Sequence, residues 1–202
     1  MQFQKCYIYH IYNQGNNRRK IFFNRENYLY FLRKINTYIL PYGDILAWCL
    51  MPNHFHLMVY VREVEVQEQP RVSLQAKPSV EPSARTFNQS IGIMLRAYTN
   101  AINKQNKTTG SLFKKLTKAE CVNCPNGITP SFITKNGITE IKIAYSEKQY
   151  PQILFNYIHQ NPVKANITKK ETDWEFSSAR DYAGLRKGKL INKKLAEKYV
   201  KF

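Results

Sequence analysis

Two histidines separated by a single residue are the first candidate functional side chains of this sequence. His54 and His56 lie in an apolar run, WCLMPNHFHLMVY, over residues 48–60. In a strand, side chains alternate between the two faces of the sheet, so both imidazoles would project from one face and Phe55 from the other. Two imidazoles on a rigid strand can share one divalent metal ion. The run therefore predicts a metal site. The alternatives are two surface histidines, or one in the core and one at a cap.

A second segment could complete such a site. Residues 147–161 have a helical pattern that Pro162 is expected to stop, and Tyr157 and Asn161 are neighbours on one helix face. Proline disfavours helical geometry in the preceding residue, so Asn161 is predicted near the last turn, where free carbonyls mildly attract a cation. The expected arrangement is a phenol beside a metal held by two imidazoles and one amide oxygen. Tyr98 is the alternative phenol, and a helix C-cap is the alternative role for Asn161.

Alternating and helical patterns predict the elements that position these residues. A strand is expected over residues 5–12 and a hairpin over 45–61 that turns at Met51-Pro52-Asn53. Helices are expected after the cap residue Asn24, over residues 87–103 and 147–161, and from about Lys193. This order predicts an α+β, ferredoxin-like sandwich: an antiparallel sheet with helices packed on one face. We assign residues 1–185 to this domain, with insertions near 62–85 and 122–145, and residues 186–202 to a basic C-terminal helix or tail.

The charge of the chain predicts a polyanionic partner. Its 202 residues include 31 Lys and Arg but only 14 Asp and Glu, a formal net charge of +17. Electrostatic attraction and counterion release favour nucleic acid first and an anionic membrane second, and a ribosome-associated or merely soluble basic protein is the remaining alternative. Seven basic residues are candidates for phosphate contacts: Arg18, Arg19, Lys20, Lys114, Lys115, Lys118 and Lys164.

The cysteines and the N-terminal residues indicate the cellular compartment. Cys121 and Cys124 form a lone C-x-x-C without the two further close ligands that a zinc knuckle needs. The sequence starts without the pattern of a signal peptide and has no apolar run of membrane-spanning length. We therefore expect a reducing cytoplasm and no membrane partner.

Several motifs, taken in order, resemble a known family. MPNHFHL (residues 51–57) resembles the His-hydrophobe-His (HUH) motif of single-tyrosine DNA transposases. YIHQNPVKA (157–165) with WEFSS (174–178) resembles the REP-associated branch of that family. GNNR (15–18) and GSLF (110–113) also fit, and the matches span roughly residues 5–185.

This resemblance implies a specific chemistry. In that family a tyrosine attacks a phosphodiester of single-stranded DNA, forms a covalent 5′-phosphotyrosine and frees a 3′-hydroxyl. By position, Tyr157 would be the nucleophile, and His54, His56 and Asn161 would bind Mg²⁺ or Mn²⁺. The implied partner is single-stranded DNA with a hairpin or inverted repeat, bound by a monomer or homodimer in the bacterial cytoplasm at the nucleoid. A catalytically inactive hairpin-binding protein of the same fold and an RNA-binding or RNA-processing protein are the alternatives.

Overall fold

A four-stranded antiparallel sheet forms the centre of the protein. The structure is a computed structural model that describes residues 2–67, 84–124 and 146–202. The spatial order of the strands is β2-β3-β1-β6. Their bounds are Ile8–Gln14 for β1, Gly43–Met51 for β2, His54–Val61 for β3 and Lys118–Cys121 for β6.

The order of strands and helices is that of a ferredoxin-like sandwich. Helix α1 (Arg25–Tyr38) connects β1 to β2, and helix α2 (Phe87–Asn106) lies between β3 and β6. The central strands β1 and β3 are paired so that Tyr12 lies opposite His56. The predicted α+β class with an antiparallel sheet is confirmed.

Local signals in the sequence explain where these elements begin and end. The Asn24 side chain accepts a hydrogen bond from the Asn27 amide, so it caps α1 as predicted. Thr86 and Gln89 form a capping box at the start of α2. The predicted hairpin is also confirmed, because β2 ends at Met51 and β3 begins at His54.

The helices lie on both faces of the sheet, which corrects the expectation of a single covered face. Helices α1 and α2 pack on the face of Tyr9, Phe55 and Leu57. Helix α3 (Ser146–Lys164) covers the opposite face, where Leu154 and Ile158 join Met58 in a second buried cluster. The physical reason is that β1 and β3 carry bulky side chains on both faces, so each face needs a cover.

Helix α3 does not stop before its proline as predicted. It continues through Pro162 to Lys164, and Asn161 lies in the last turn, where it was predicted. Proline donates no amide hydrogen bond, but the helix still closes after it through bonds from the Ala165 amide to the Asn161 carbonyl and from the Ile167 amide to the Pro162 carbonyl.

The remaining described residues extend this core. Short strands β4 (Glu65–Gln67) and β5 (Ala84–Thr86) pair at the two ends of the first predicted insertion. The rest of that insertion and residues 125–145 of the second predicted insertion (122–145) lie outside the described residues. Cys121 and Cys124 are joined by a disulfide. Two four-residue helices follow α3, namely α4 (Ala179–Tyr182) and α5 (Lys193–Ala196).

The C-terminal segment packs against the sheet. Ala196 and Val200 are buried in the second cluster, and the Asn192 amide donates to the Ile45 carbonyl of β2. In the part of the chain that the structure describes, no helix is both long and apolar enough to cross a membrane.

Candidate metal and tyrosine site

The two histidines and the tyrosine line one pocket at the end of the sheet that α3 covers. The pocket has a volume of about 280 Å³, and its walls include His54, His56 and Tyr157. Strand β3 begins at His54, directly after the β2–β3 turn. Both imidazoles therefore project from the start of β3, on the face of the sheet that α3 covers. Lys114 and Lys118, both exposed, stand at the rim of the same pocket.

The hydrogen bonds of His54 leave one ring nitrogen with a lone pair. Its Nδ1 lies 2.6 Å from Oδ1 of Asn53, and an amide oxygen only accepts, so Nδ1 carries the proton. The pKa of His54 is lowered by burial, which keeps the ring neutral at pH 7 and its Nε2 unprotonated.

Asn161 presents an oxygen to that nitrogen. Its Nδ2 donates to the Tyr157 carbonyl over 2.9 Å, which turns Oδ1 towards Nε2 of His54 at 3.5 Å. Two lone pairs thus face each other. Two atoms that each bind one ion at about 2.1 Å can lie up to about 4.2 Å apart, so both can reach a single cation.

His56 is held by a third histidine. Its Nδ1 lies 2.9 Å from Nε2 of His10, and both rings are buried. The Nε2 atom of His56 is buried and makes no hydrogen bond to any residue in the described ranges. A buried polar atom without a partner is uncommon, which makes Nε2 of His56 a candidate metal ligand.

All three imidazoles of this cluster are neutral. Burial lowers the pKa of His10 to about 3, and burial together with the neighbouring His10 and His54 places the pKa of His56 well below its ordinary value. A metal binds imidazole only in its unprotonated form. The site is therefore ready to bind a cation without first losing a proton.

The phenol of Tyr157 is half-buried beside these rings. Its ring lies 5.3 Å from that of His56, edge to face, and Nζ of Lys164 is 5.8 Å from its centroid. Burial raises the pKa of Tyr157, the side chain of Asn161 opposes that shift, and the negative charge of Glu120 adds to it. The phenol is therefore protonated at neutral pH.

The donor set fits a divalent cation with nitrogen and oxygen ligands. Nε2 of His54, Nε2 of His56 and Oδ1 of Asn161 are its candidate ligands. Among the described residues, no group of three or more His, Cys, Asp or Glu side chains could hold a metal ion, so the site depends on an amide oxygen. Two imidazole nitrogens and one amide oxygen would leave coordination positions open for water or substrate, unlike a closed structural zinc site with four protein ligands.

Three neighbours of the site were not assigned a role from the sequence. His10 supports His56, Asn53 fixes the tautomer of His54, and Glu120 lies opposite His10 in β6 and accepts from the Tyr12 hydroxyl over 2.7 Å. Alternation along residues 5–12 places His10 and Tyr12 on the same face of the strand. It could not tell which strand would pair with β1, and pairing is what joins His10 to His56.

The alternative phenol lies far from the pocket. Tyr98 is buried in the cluster of α1 and α2, on the other face of the sheet, and its hydroxyl donates to the Ile21 carbonyl over 2.7 Å. Tyr98 is fully buried among the side chains of that cluster, and burial raises its pKa.

The basic candidates fall into two groups around the pocket. The loop of Arg18, Arg19 and Lys20 is exposed. It folds back so closely on Gly15 that a side chain at position 15 would overlap the Arg19 carbonyl. This loop binds the β2–β3 turn through the Ile21 amide and the Pro52 carbonyl. The second group lies at or near the pocket rim and consists of Lys114, Lys115, Lys118 and Lys164, all exposed.

Fold and site together define a ferredoxin-like sandwich with a candidate metal–tyrosine centre under a basic rim. Among solved structures, the protein is similar to a REP-associated tyrosine transposase bound to a REP hairpin, with a TM-score of 0.53 and 19% identity. The match covers 92% of this chain and 86% of the other. It shows a shared fold. No family model matches the sequence, and no curated protein matches it.

Proposed function

We propose that this protein is a metal-dependent enzyme that cleaves and rejoins single-stranded DNA at hairpin elements, with Tyr157 as the nucleophile. The observation that carries the proposal is the meeting of one phenol and two unprotonated imidazole nitrogens in a single pocket, with the amide oxygen of Asn161 3.5 Å from Nε2 of His54. The shared fold with a transposase bound to a REP hairpin supports the choice of DNA hairpins as substrate.

The side chains have distinct roles in this proposal. His54, His56 and Asn161 hold Mg²⁺ or Mn²⁺, which when bound neutralises charge on the scissile phosphate and stabilises the leaving oxygen. Lys114, Lys118 and Lys164 attract the phosphates on either side. The net charge of +17 gives the whole chain the same preference.

Tyr157 forms and later releases the covalent intermediate. Its hydroxyl loses a proton to solvent and its oxygen bonds to phosphorus, while the bond from phosphorus to the 3′ oxygen breaks and that oxygen takes up a proton. The raised pKa makes the free phenol a poor nucleophile, so the phenolate must form while the phosphate is bound. The phosphotyrosine keeps the energy of the broken bond, which allows strand joining.

Two labels on one DNA hairpin test the proposal. In the expected reaction with Mn²⁺, a label at the 3′ end becomes covalently attached to the protein, and a label at the 5′ end leaves on a fragment with a free 3′-hydroxyl. Chelation of the metal should prevent both changes. Hairpin binding without any adduct would instead support the inactive binding protein. Tighter binding of the matching RNA hairpin would support the RNA-binding alternative.

His10 provides a separate prediction about metal affinity. His10→Leu should weaken Mn²⁺ binding about 10- to 100-fold, because the acceptor that orients His56 is lost. His10→Gln should retain most of the affinity, since its amide oxygen can still accept from Nδ1 of His56. Calorimetric titration with Mn²⁺ measures both, and equal affinity in the Leu and Gln variants would contradict this role.

A further inference from the structure

A second basic groove lies next to the candidate catalytic pocket. It has a volume of about 380 Å³ and runs between α2 and the segment that leads into β6. Asn13 and Lys114 line both this groove and the catalytic pocket. The Asn13 side chain donates to the Lys114 carbonyl over 3.1 Å and to the Thr117 hydroxyl over 2.9 Å, so it fixes the segment that separates the two.

The groove has the chemistry of a site for a nucleotide. Arg96, Lys114 and Lys115 line it, and none of its described lining residues is acidic. Leu95 and Phe113, both largely buried, provide an apolar floor. A basic groove that follows the phosphates, with aromatic side chains beside the bases, is the usual arrangement for single-stranded nucleic acid, and Phe113 is the aromatic side chain here. Its volume is at the low end for ligand pockets, which fits a single nucleotide.

Gly92 points to an occupant that approaches the helix backbone. It lies inside α2, where glycine is less favourable than alanine. A Cβ at this position would meet no atom of the described residues within 4 Å, so packing within the described chain does not require a glycine there. Arg96 and Thr99 follow at helical spacing and line the same groove.

We infer that this groove binds a nucleotide of the single strand that flanks the scissile phosphate, with its phosphate near Arg96 and Lys115. The inference rests on the proposed function for the identity of the strand. Lys114, which is shared by both pockets, would guide the strand from one to the other.

This inference is tested by measuring how DNA-binding affinity depends on the length of the flank. A chelator is present throughout, so that no cleavage occurs. The probe is one DNA hairpin with a single-stranded flank of either two or about twelve nucleotides, a length within the usual site sizes. Wild-type protein should bind the long flank about tenfold more tightly. Gly92→Glu and Arg96→Gln should remove most of this gain, and Arg96→Gln should lower the salt slope for the long flank by about 0.7.

Two control variants separate the groove from general effects. Lys104→Gln removes one charge from the same helix outside the groove and should keep the gain. Gly92→Ala shows that the helix accepts a side chain, and its melting temperature should equal or exceed that of wild type. Equal binding of both flanks by wild type, or a full gain in Gly92→Glu, would overturn the inference. A missing Mn²⁺-dependent adduct would overturn the proposed chemistry but would leave this binding result unaffected.

Discussion

Tyr157→Phe is expected to abolish the covalent protein–DNA adduct and to leave hairpin binding unchanged. The variant removes the only atom of this side chain that could bond to phosphorus and keeps the ring that packs against His56. The test compares retention of the 3′ label in denaturing gels with binding measured in chelator. Because the phenyl ring fills the same space, the melting temperature should change little.

Tyr199→Phe is the matched control for this experiment. Tyr199 lies on the same side of the sheet but packs against Tyr60, about 20 Å along β3 from His54. It should form the adduct as wild type does. An adduct that persists in Tyr157→Phe would show that another residue is the nucleophile, and peptide mapping of the adduct would identify it.

The second large effect concerns stability at mildly acidic pH. The free energy of unfolding should fall by at least about 4 kcal/mol between pH 7 and pH 5 in the absence of metal. The pKa values of His10 and His159 are about 3 in the folded protein, because both are buried, against about 6.5 in the unfolded chain. Between these values the unfolded state binds protons that the folded state does not, so stability present above pH 6.5 is lost as the pH falls. Each group contributes about 2 kcal/mol over this range.

Urea unfolding at the two pH values measures this effect, and His159→Gln is its control. His159 Nε2 lies 2.7 Å from the Ser178 hydroxyl, and a glutamine amide can keep a hydrogen bond there. The variant should lose about 2 kcal/mol of the pH dependence, which is the contribution of His159. His54 and His56 act in the same direction, since their pKa values are also lowered and the chain has only these four histidines. A constant free energy of unfolding from pH 7 to pH 5 would contradict the prediction.

Local patterns were enough to predict the parts of the site that depend on short stretches of sequence. The run around Met51-Pro52-Asn53 is a tight turn between two apolar segments, so the hairpin and the shared direction of His54 and His56 follow from alternation alone. Tyr157 and Asn161 are neighbours for the equally local reason that they are four residues apart in a helix. The metal, its ligands and the nucleophile remain predictions.

These local patterns could not predict which strands pair when they are far apart in the sequence. Ala119 and Glu120 reach β1 only because β6 adds to the edge of the sheet, which no local signal specifies. The prediction that all helices share one face was wrong because periodicity identifies the apolar face of a helix but not the surface it covers. Pro162 was expected to end α3, but the bond from Ile167 closes the helix after it.

The sequence by itself determined the charge of the chain, its sandwich of strands and helices, and the side chains that each strand or helix presents on one face. These properties depend on residues within a few positions of each other. Only the tertiary structure decided that α3 covers the histidine face, which brings Asn161 to His54 and Tyr157 to His56 across more than 100 residues. It also decided that His10 supports His56 and that Tyr98 lies on the far side. Such contacts depend on which surfaces bury the most apolar area together, and that is a property of the whole chain.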